Sequence, residues 1–358
     1  RSPGYYIMDF IDDLNITQSE FAARMGTSAK NISLLVSGKS RLSDDLAAKL
    51  SAMTGTSIDL WLSLQQAFDK KIIDIEHEKL LDAQLEVSKS IDYSFFVRNA
   101  NLPKTRDYRL RTINLCAFLH VSDLRILKNQ DILVNFRSSN AALSDKNIIN
   151  AQAWLQTAIN IAKTIVTANF NIDKLKAFLP QIRSMTLDNP DNFLPRLYQI
   201  FQDCGIAFIL LPHLKNSAIN GAVKWEGRNR VVLALNDRRC YADTFWFSMF
   251  HEIKHIMQQK IKTVFVQLAS GNISLFNSSL EKEADQFARN YLIPPEKYLS
   301  FIEKKDFSRE SIIDFSSSIG IHAGIVVGRL QFDKHIKPSM FNQLRTKHKI
   351  VLEASTRG

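Results

Sequence analysis

The first 70 residues alternate short apolar segments of helical spacing with polar turns that contain glycine. Thr17 comes directly before one such segment and Glu20 follows three residues later, a pattern that predicts a capping box at a helix N-terminus. Gly26 ends that segment and suits the turn before the next one. The pattern predicts three successive helices at Tyr5–Leu14, Gln18–Met25 and Ala29–Ser37.

Two short helices joined through a glycine-containing turn are typical of a helix-turn-helix, whose second helix enters the major groove of DNA. In this register one group of side chains faces the core: Phe21, Ala22, Ile32 and Leu35. Around the second helix another group is polar and faces outward: Ser28, Lys30, Asn31 and Ser33. The sequence therefore predicts a compact all-α helix-turn-helix DNA-binding domain over residues 1–70.

A second informative region is the apolar run Thr244–Met257, which has neither proline nor glycine and so predicts a helix. Within it stand His251, Glu252 and His255. Positions four residues apart share one face of a helix, so both imidazoles can bind one metal ion. Glu252 stands beside them, where its carboxylate can polarise a water molecule on that ion.

A third metal ligand is expected downstream, where residues 279–288 predict another helix. Glu281 and Asp285 share a face of this helix, whereas Glu283 is rotated away from them. Glu281 can complete the ligand set, and Asp285 can hold a ligating histidine through its second ring nitrogen. Taken singly, each pattern also fits a solvated helix face, but their order along the chain favours a zinc site, with manganese as the other candidate ion.

The C-terminal half resembles the ImmA/IrrE metallopeptidases in several separate segments that occur in the same order. The resemblance covers about residues 193–333. The segments that carry it are Pro212–Trp225, Asp243–Glu252, HEIKH at residues 251–255, Glu281–Tyr298 and Ile321–Gln331.

This resemblance implies a zinc-dependent endopeptidase of the gluzincin type. It implies that His251, His255 and Glu281 are the metal ligands and that Glu252 is the general base. Members of the family typically cut a partner repressor protein in response to stress or DNA damage. Two residues depart from the family pattern: Lys254 stands where a small residue is usual, and Ala323 where proline is frequent.

The N-terminal segment Ile16–Asp69 resembles the helix-turn-helix of the HigA-like antitoxins and of related phage-repressor-type regulators. The resemblance implies that Gln18 and Ser28 bind phosphates and that Lys39 and Arg41 anchor the DNA backbone. It also implies base contacts from Lys30, Asn31 and Ser33. Repressor-type modules usually dimerise, which favours a homodimer on a palindromic operator in double-stranded DNA.

Between these regions, residues 71–190 give helical patterns without a recognisable motif and are expected to form a helical linker or middle region. Short strands are predicted ahead of the metal helix, at Ile206–Leu211, Gly221–Trp225 and Arg230–Ala234. The expected fold is multidomain and mainly α, with an α+β zincin-like metallopeptidase domain and its small sheet at residues 191–335. A basic C-terminal tail is expected at residues 336–358.

Charge, cysteine content and apolar runs narrow these hypotheses. The net charge of +10 usually favours nucleic-acid contact, but residues 1–70 carry −1, so the excess lies in the rest of the chain. Cys116, Cys204 and Cys240 form neither a disulfide framework nor a CxxC pair, which indicates thiols in a reducing compartment. No apolar run approaches the ~20 residues that span a bilayer, and no secretory signal is recognisable. We therefore expect a cytoplasmic protein.

Together these patterns predict a DNA-binding transcriptional regulator with a zinc-dependent endopeptidase domain. Its substrate would be a protein, such as a repressor or a toxin–antitoxin partner, cut by metal-activated water. The alternative is a repressor or antitoxin whose zinc domain senses a signal without proteolysis, and Lys254 favours that alternative. A purely structural zinc domain is less favoured, because Glu252 would then have no purpose.

Overall fold

The computed structural model describes residues 1–128, 144–236, 241–260, 265–268 and 278–347. Its internal contacts divide the chain into two compact units, Arg1–Ala83 and Gln84–Gly358. The first unit has one hydrophobic core, and two further clusters of buried side chains lie in the second unit.

The first unit consists of helices: α1 (Pro3–Asp13), α2 (Gln18–Arg24), α3 (Ala29–Val36), α4 (Asp44–Thr54) and most of α5 (Ile58–Ser90). The hydroxyls of Thr17, Ser28 and Ser43 begin three of these helices, because they accept backbone N–H groups that have no partner within the helix. Of the predicted capping box only the Thr17 half is formed. The Glu20 carboxylate instead accepts a hydrogen bond from Arg24, one turn further along α2.

The core of the first unit contains the four side chains that were predicted to face inward, Phe21, Ala22, Ile32 and Leu35. Trp61 of α5 is buried with them, and its indole N–H donates to the Thr56 hydroxyl over 2.6 Å. The predicted helix-turn-helix is therefore confirmed as a packed pair, α2 and α3, supported by the surrounding helices.

Helix α5 runs unbroken for 33 residues. It passes through residue 70, where the sequence predicted a domain boundary, and the division between the two units falls later, after Ala83. Residues 71–80 are exposed throughout, and Ile73 is the most exposed of their large apolar side chains, at 63%. The four-part domain division stays a prediction.

The second unit contains ten further α-helices and four strands among its described residues. Its first helices are α6 (Tyr93–Asn99), α7 (Tyr108–Leu119), α8 (Asp145–Ala162), α9 (Ile172–Ser184) and α10 (Pro190–Asp203). The strands are β1 (Ile206–Leu211), β2 (Ile219–Trp225), β3 (Val231–Asn236) and β4 (Phe265–Leu268). The later helices are α11 (Ala242–Met257), α12 (Ser278–Leu292), α13 (Pro295–Glu303), α14 (Arg309–Ile319) and α15 (Ala323–Phe332).

The strands form one sheet in the order β1-β3-β2-β4. β1 and β3 are parallel, with Ile206 opposite Val231, and β2 is antiparallel to both β3 and β4. The first predicted strand has the bounds that were predicted, the other two differ by one or two residues at one or both ends, and β4 was not predicted. Its four residues lie between segments outside the described part of the chain.

Both faces of the sheet are covered, because successive side chains of a strand point to opposite sides. Phe208 and Leu233 lie in the cluster that contains the α11 side chains, whereas Ile209 and Ala234 lie in the cluster that contains α8. Trp154 of α8 anchors the second cluster, and its indole N–H donates to the Pro212 carbonyl. Helices from the predicted middle region thus share a core with the sheet.

The predicted fold class is confirmed: the chain is mainly helical, with an N-terminal helix-turn-helix and a small sheet in its C-terminal part. Within the described ranges no single helix is long and apolar enough to cross a membrane, and one bent pair, α14 with α15, qualifies on length and composition alone. Cys204 is buried and Cys116 half-buried, while Cys240 lies outside the described residues. Of the predicted tail, Phe341 and Leu344 pack against the core, and residues 348–358 lie outside the described residues.

Gly205, between α10 and β1, provides a test of this packing. Its φ is +82°, and a Cβ there would lie 2.3 Å from the backbone of Phe170. We expect Gly205→Ala to lower the free energy of unfolding by roughly 3–5 kcal/mol, from backbone strain and overlap together. Gly227→Ala is the control, because φ is +71° there but the space is open. Equal losses in urea unfolding would contradict the packing described here.

Candidate metal centre

Helix α11 carries both predicted histidine ligands and packs against the sheet and α12. Its apolar side chains, such as Trp246 and Phe250, are fully buried. The two imidazoles lie on the same buried helix and are buried as well: His251 is 3% exposed and His255 is 1% exposed. Polar groups this deeply buried need partners, and α12 provides several of them.

The side chains of His251, His255 and Glu281 meet between α11 and α12 and could hold a metal ion. The two Nε2 atoms lie 3.0 Å apart, and each lies 3.3 Å from an oxygen of the Glu281 carboxylate. Tetrahedral zinc, with bonds of about 2.0–2.2 Å, holds its donor atoms roughly 3.3–3.6 Å apart. The three donors are therefore close to the separation that such an ion requires, and two imidazoles with one carboxylate fit the chemistry of zinc.

Asp285 lies one helical turn after Glu281 and contacts the other side of His251. Its Oδ1 is 3.0 Å from Nδ1 of that ring. An ionised carboxylate can only accept, so Nδ1 carries the proton and Nε2 is directed at the cluster. Arg289 lies 3.6 Å from the second Asp285 oxygen, so the carboxylate has a cationic partner on α12 as well as the imidazole on α11.

The cluster favours positive charge at its centre. Burial alone lowers the pKa of His251, but hydrogen bonds to Asp285 and Glu281, with the charges of Glu252 and Glu281, raise it to about 10. Burial raises the pKa of Glu281, yet its hydrogen bonds with His251 and His255 bring it down to about 2. An environment that keeps a proton on a buried imidazole also attracts a metal cation in its place.

Glu252 is fully buried beside this cluster, and neither carboxylate oxygen has a hydrogen-bond partner among the described residues. Burial raises its pKa to about 7, and the charges of His251 and His255 oppose that rise only in part. A buried carboxyl group without hydrogen bonds is unfavourable for stability. Its position is therefore explained better by chemistry at the cluster than by packing.

Gly221 of β2 makes room for Glu252, and the sequence analysis did not identify it. A Cβ at this position would lie 2.9 Å from Oε1 of Glu252 and 2.7 Å from Cδ2 of Leu235. The pairing of β2 with β4 is also irregular between Ile219 and Gly221. A glycine inside a strand pattern often marks such a close approach. This is the feature of the sequence from which the role of Gly221 could have been predicted.

Lys254, the first departure from the family pattern, pairs with a carboxylate that is not one of the three predicted ligands. Its Nζ is 2.7 Å from Oε1 of Glu283 on α12, and its side chain is 19% exposed. Gln258, which the sequence analysis also missed, contacts both Glu283 and His255. The second departure, Ala323, is the first residue of α15.

The residues predicted to contact DNA lie in the first unit, mostly on its exposed surface. Ser28, Lys30, Asn31, Ser33, Lys39 and Arg41 are exposed, and Gln18 is half-buried against Met8. Three of the exposed side chains have partners within the unit. The Ser28 hydroxyl caps α3, the Asn31 amide donates to the Thr27 hydroxyl over 3.3 Å, and Arg41 pairs with Asp69 over 2.5 Å.

Comparison with known proteins identifies the first unit. A family model described as helix-turn-helix matches residues 7–61. The uncharacterized HTH-type transcriptional regulator YddM of Escherichia coli (strain K12) is 35% identical over 86 residues, which are 92% of that protein and 23% of this chain. Through this N-terminal module the chain belongs to the helix-turn-helix family.

A solved structure is similar over a comparable proportion of the chain. It is described as an antidote protein of a plasmid maintenance system from Nostoc punctiforme. The two chains are 33% identical, with 22% of this chain and 87% of that one covered, and the TM-score is 0.22.

The contact between Gly221 and Glu252 can be tested by a double-mutant cycle. We expect Gly221→Ala to lower the free energy of unfolding by about 1–3 kcal/mol, because the added methyl group overlaps the glutamate. In a Glu252→Ala background the loss should shrink by at least ~0.5 kcal/mol. Gly227→Ala, in the turn after the same strand, should lose equal stability in both backgrounds. Equal losses for Gly221→Ala would contradict the proposed contact.

Proposed function

We propose that this chain is a DNA-binding transcriptional regulator whose second unit is a zinc-dependent endopeptidase, as its resemblance to the ImmA/IrrE metallopeptidases implies. The observation that carries the proposal is the Glu252 carboxylate. It is fully buried, has no hydrogen-bond partner among the described residues, and lies next to His251 along α11. A general base at a metal centre accounts for a carboxylate in that position.

His251, His255 and Glu281 would hold the zinc ion, and Asp285 would keep His251 in the ligating tautomer. Three protein ligands are typical of catalytic zinc, whereas structural sites use four. Bound zinc would supply a Lewis acid for the scissile carbonyl and lower the pKa of a water ligand towards ~7.

Glu252 would move the proton in this reaction. Its carboxylate takes a proton from the attacking water and later returns it to the leaving amine. Gly221 supports this role because it leaves the carboxylate room beside β2.

An extended protein segment is the substrate that the sheet favours. The described sheet has two edge strands, β1 and β4, and of these β4 pairs with β2, the strand that approaches Glu252. A peptide that adds to this edge through backbone hydrogen bonds would lie beside β4, with β4 between it and β2. We expect the substrate to be a repressor or a toxin–antitoxin partner, as the resemblance implies.

Cleavage can be tested by comparing protein N-termini in cells that carry the wild type or Glu252→Gln, with and without DNA damage. Neo-N-termini should form only with the intact glutamate, because the amide cannot take the proton from water. Zinc content and thermal unfolding of both purified proteins serve as controls. We expect similar zinc content, since Glu252 is not a ligand.

Identical N-termini under every stress would instead favour the alternative, a repressor or antitoxin whose zinc domain senses a signal without cutting. Lys254 was the residue that favoured this alternative. Its ammonium group pairs with Glu283, so the comparison of N-termini, and not this residue, distinguishes the two functions.

The first unit would bind an operator as a homodimer, with α3 as the recognition helix. Support comes from the family match at residues 7–61 and from the exposed polar face of α3, which carries Lys30, Asn31 and Ser33. Two such helices related by a two-fold axis would require a palindromic site.

DNA contact can be tested with a duplex enriched by the wild-type protein from a random library. Lys30→Ala should weaken binding about 5- to 100-fold, because a lysine on the recognition helix contacts bases or phosphates. Lys49→Ala is the matched control: this lysine lies on α4 and pairs with Asp45. Anisotropy titrations in which both variants bind equally would contradict the assignment of α3.

A further inference from the structure

Gln258 lies at the end of the metal helix, where it caps α11. Its Oε1 is 2.9 Å from Nδ1 of His255. Its Nε2 donates to the Leu280 carbonyl over 3.0 Å and to Oε2 of Glu283 over 2.9 Å. The amide thus joins one predicted metal ligand on α11 to the start of α12.

The orientation of this amide follows from its partners. The backbone carbonyl of Leu280 and the carboxylate of Glu283 are both acceptors, so the NH₂ group of Gln258 must face them. The amide oxygen is then left for His255, and an oxygen can only accept. Nδ1 of His255 therefore carries the proton, and its Nε2 is directed at His251 and Glu281.

We propose that Gln258 is a positioning residue that fixes the tautomer and ring orientation of His255 for metal binding, and that Glu283 and Lys254 hold Gln258 in place. The inference rests on the proposed metal site but not on proteolysis. It gives His255 a support of the kind that Asp285 gives His251.

Lys254 then has a defined role. Its Nζ pairs with Oε1 of Glu283, while the other oxygen of that carboxylate accepts from Gln258. The ammonium also lies 5.6 Å from the centroid of the Phe287 ring. A small residue at position 254 would leave Glu283, which is half exposed, without the partner that orders it.

Metal affinity provides the first test, with zinc or cobalt alone as the probe in chelator competition. Gln258→Met keeps the length of the side chain and removes both hydrogen-bonding groups. We expect it to weaken binding about 10- to 100-fold, the usual effect of losing the partner of a ligating histidine. Gln286→Met on α12 is the matched control, and we expect wild-type affinity from it.

The imidazole N–H protons of the zinc-loaded protein provide a readout that general loosening would not reproduce. In the wild type, the Nδ1 protons of His251 and His255 should both give protected NMR signals. In Gln258→Met the His255 signal should be lost by exchange with water, whereas the His251 signal, held by Asp285, should remain. Loss of both signals, or of neither, would overturn the proposal.

The chain of contacts predicts non-additive effects. Lys254→Met should weaken zinc binding less than Gln258→Met does, and the double variant should be no worse than Gln258→Met alone, because Lys254 acts through the amide. Additive losses would overturn the role assigned to Lys254. If Gln258→Met does not fold, zinc affinity is compared among Lys254→Met, Glu283→Gln and their double variant, which change side chains nearer the surface. The losses should again be non-additive.

These outcomes separate this inference from the peptidase proposal. Zinc binding that depends on Gln258, in a protein that cuts nothing, would refute the peptidase and leave the inference standing. Cleavage by the wild type, together with unchanged zinc affinity in Gln258→Met, would refute the role of Gln258 and leave the peptidase proposal standing. A wild-type protein that takes up neither zinc nor cobalt would refute both.

Discussion

The packing of α11 against α12 is the interaction on which the candidate metal centre depends. One helix supplies the two imidazoles and the other supplies Glu281 and Asp285, so the ligand set exists only while the two helices keep their register. An aromatic contact crosses between them: the ring of Phe250 on α11 stacks on Tyr291 of α12, with centroids 5.2 Å apart. Within α12, Phe287 stacks on the same tyrosine at 5.3 Å. Such contacts are rigid because well-packed aromatic rings have few alternative rotamers.

The two histidines are supported in unlike ways. A carboxylate accepts from His251, whereas a neutral amide accepts from His255. The centre already contains three carboxyl groups close to two imidazoles, those of Glu252, Glu281 and Asp285. A fourth beside His255 would add repulsion in a site with little water to screen it. The amide provides orientation without charge, and the charges of Lys254 and Glu283 stay near the surface, where solvent screens them.

Much of this arrangement could be predicted from the sequence, because it follows from periodicity along single helices. The spacing of His251 and His255, and that of Glu281 and Asp285, each depends on one helix only. Gly221 and Gln258 depend on how different elements approach one another, which no local pattern specifies. The same reason explains why β4 was missed and why the contact between α8 and the sheet was not predicted. The partner of α8, the second face of the sheet, lies about 50 residues further along the chain.

That shared sheet has a consequence for how the second unit can be inherited. A domain that recombines as a module must bury its apolar surface within its own boundaries. Here β3 serves two cores at once, with Leu233 on one side and Ala234 on the other. A recombination point between α8 and β1 would expose an entire apolar face of the sheet to water. The helices of the candidate metal centre, α11 and α12, and the helices before the sheet are therefore expected to pass from protein to protein as one piece.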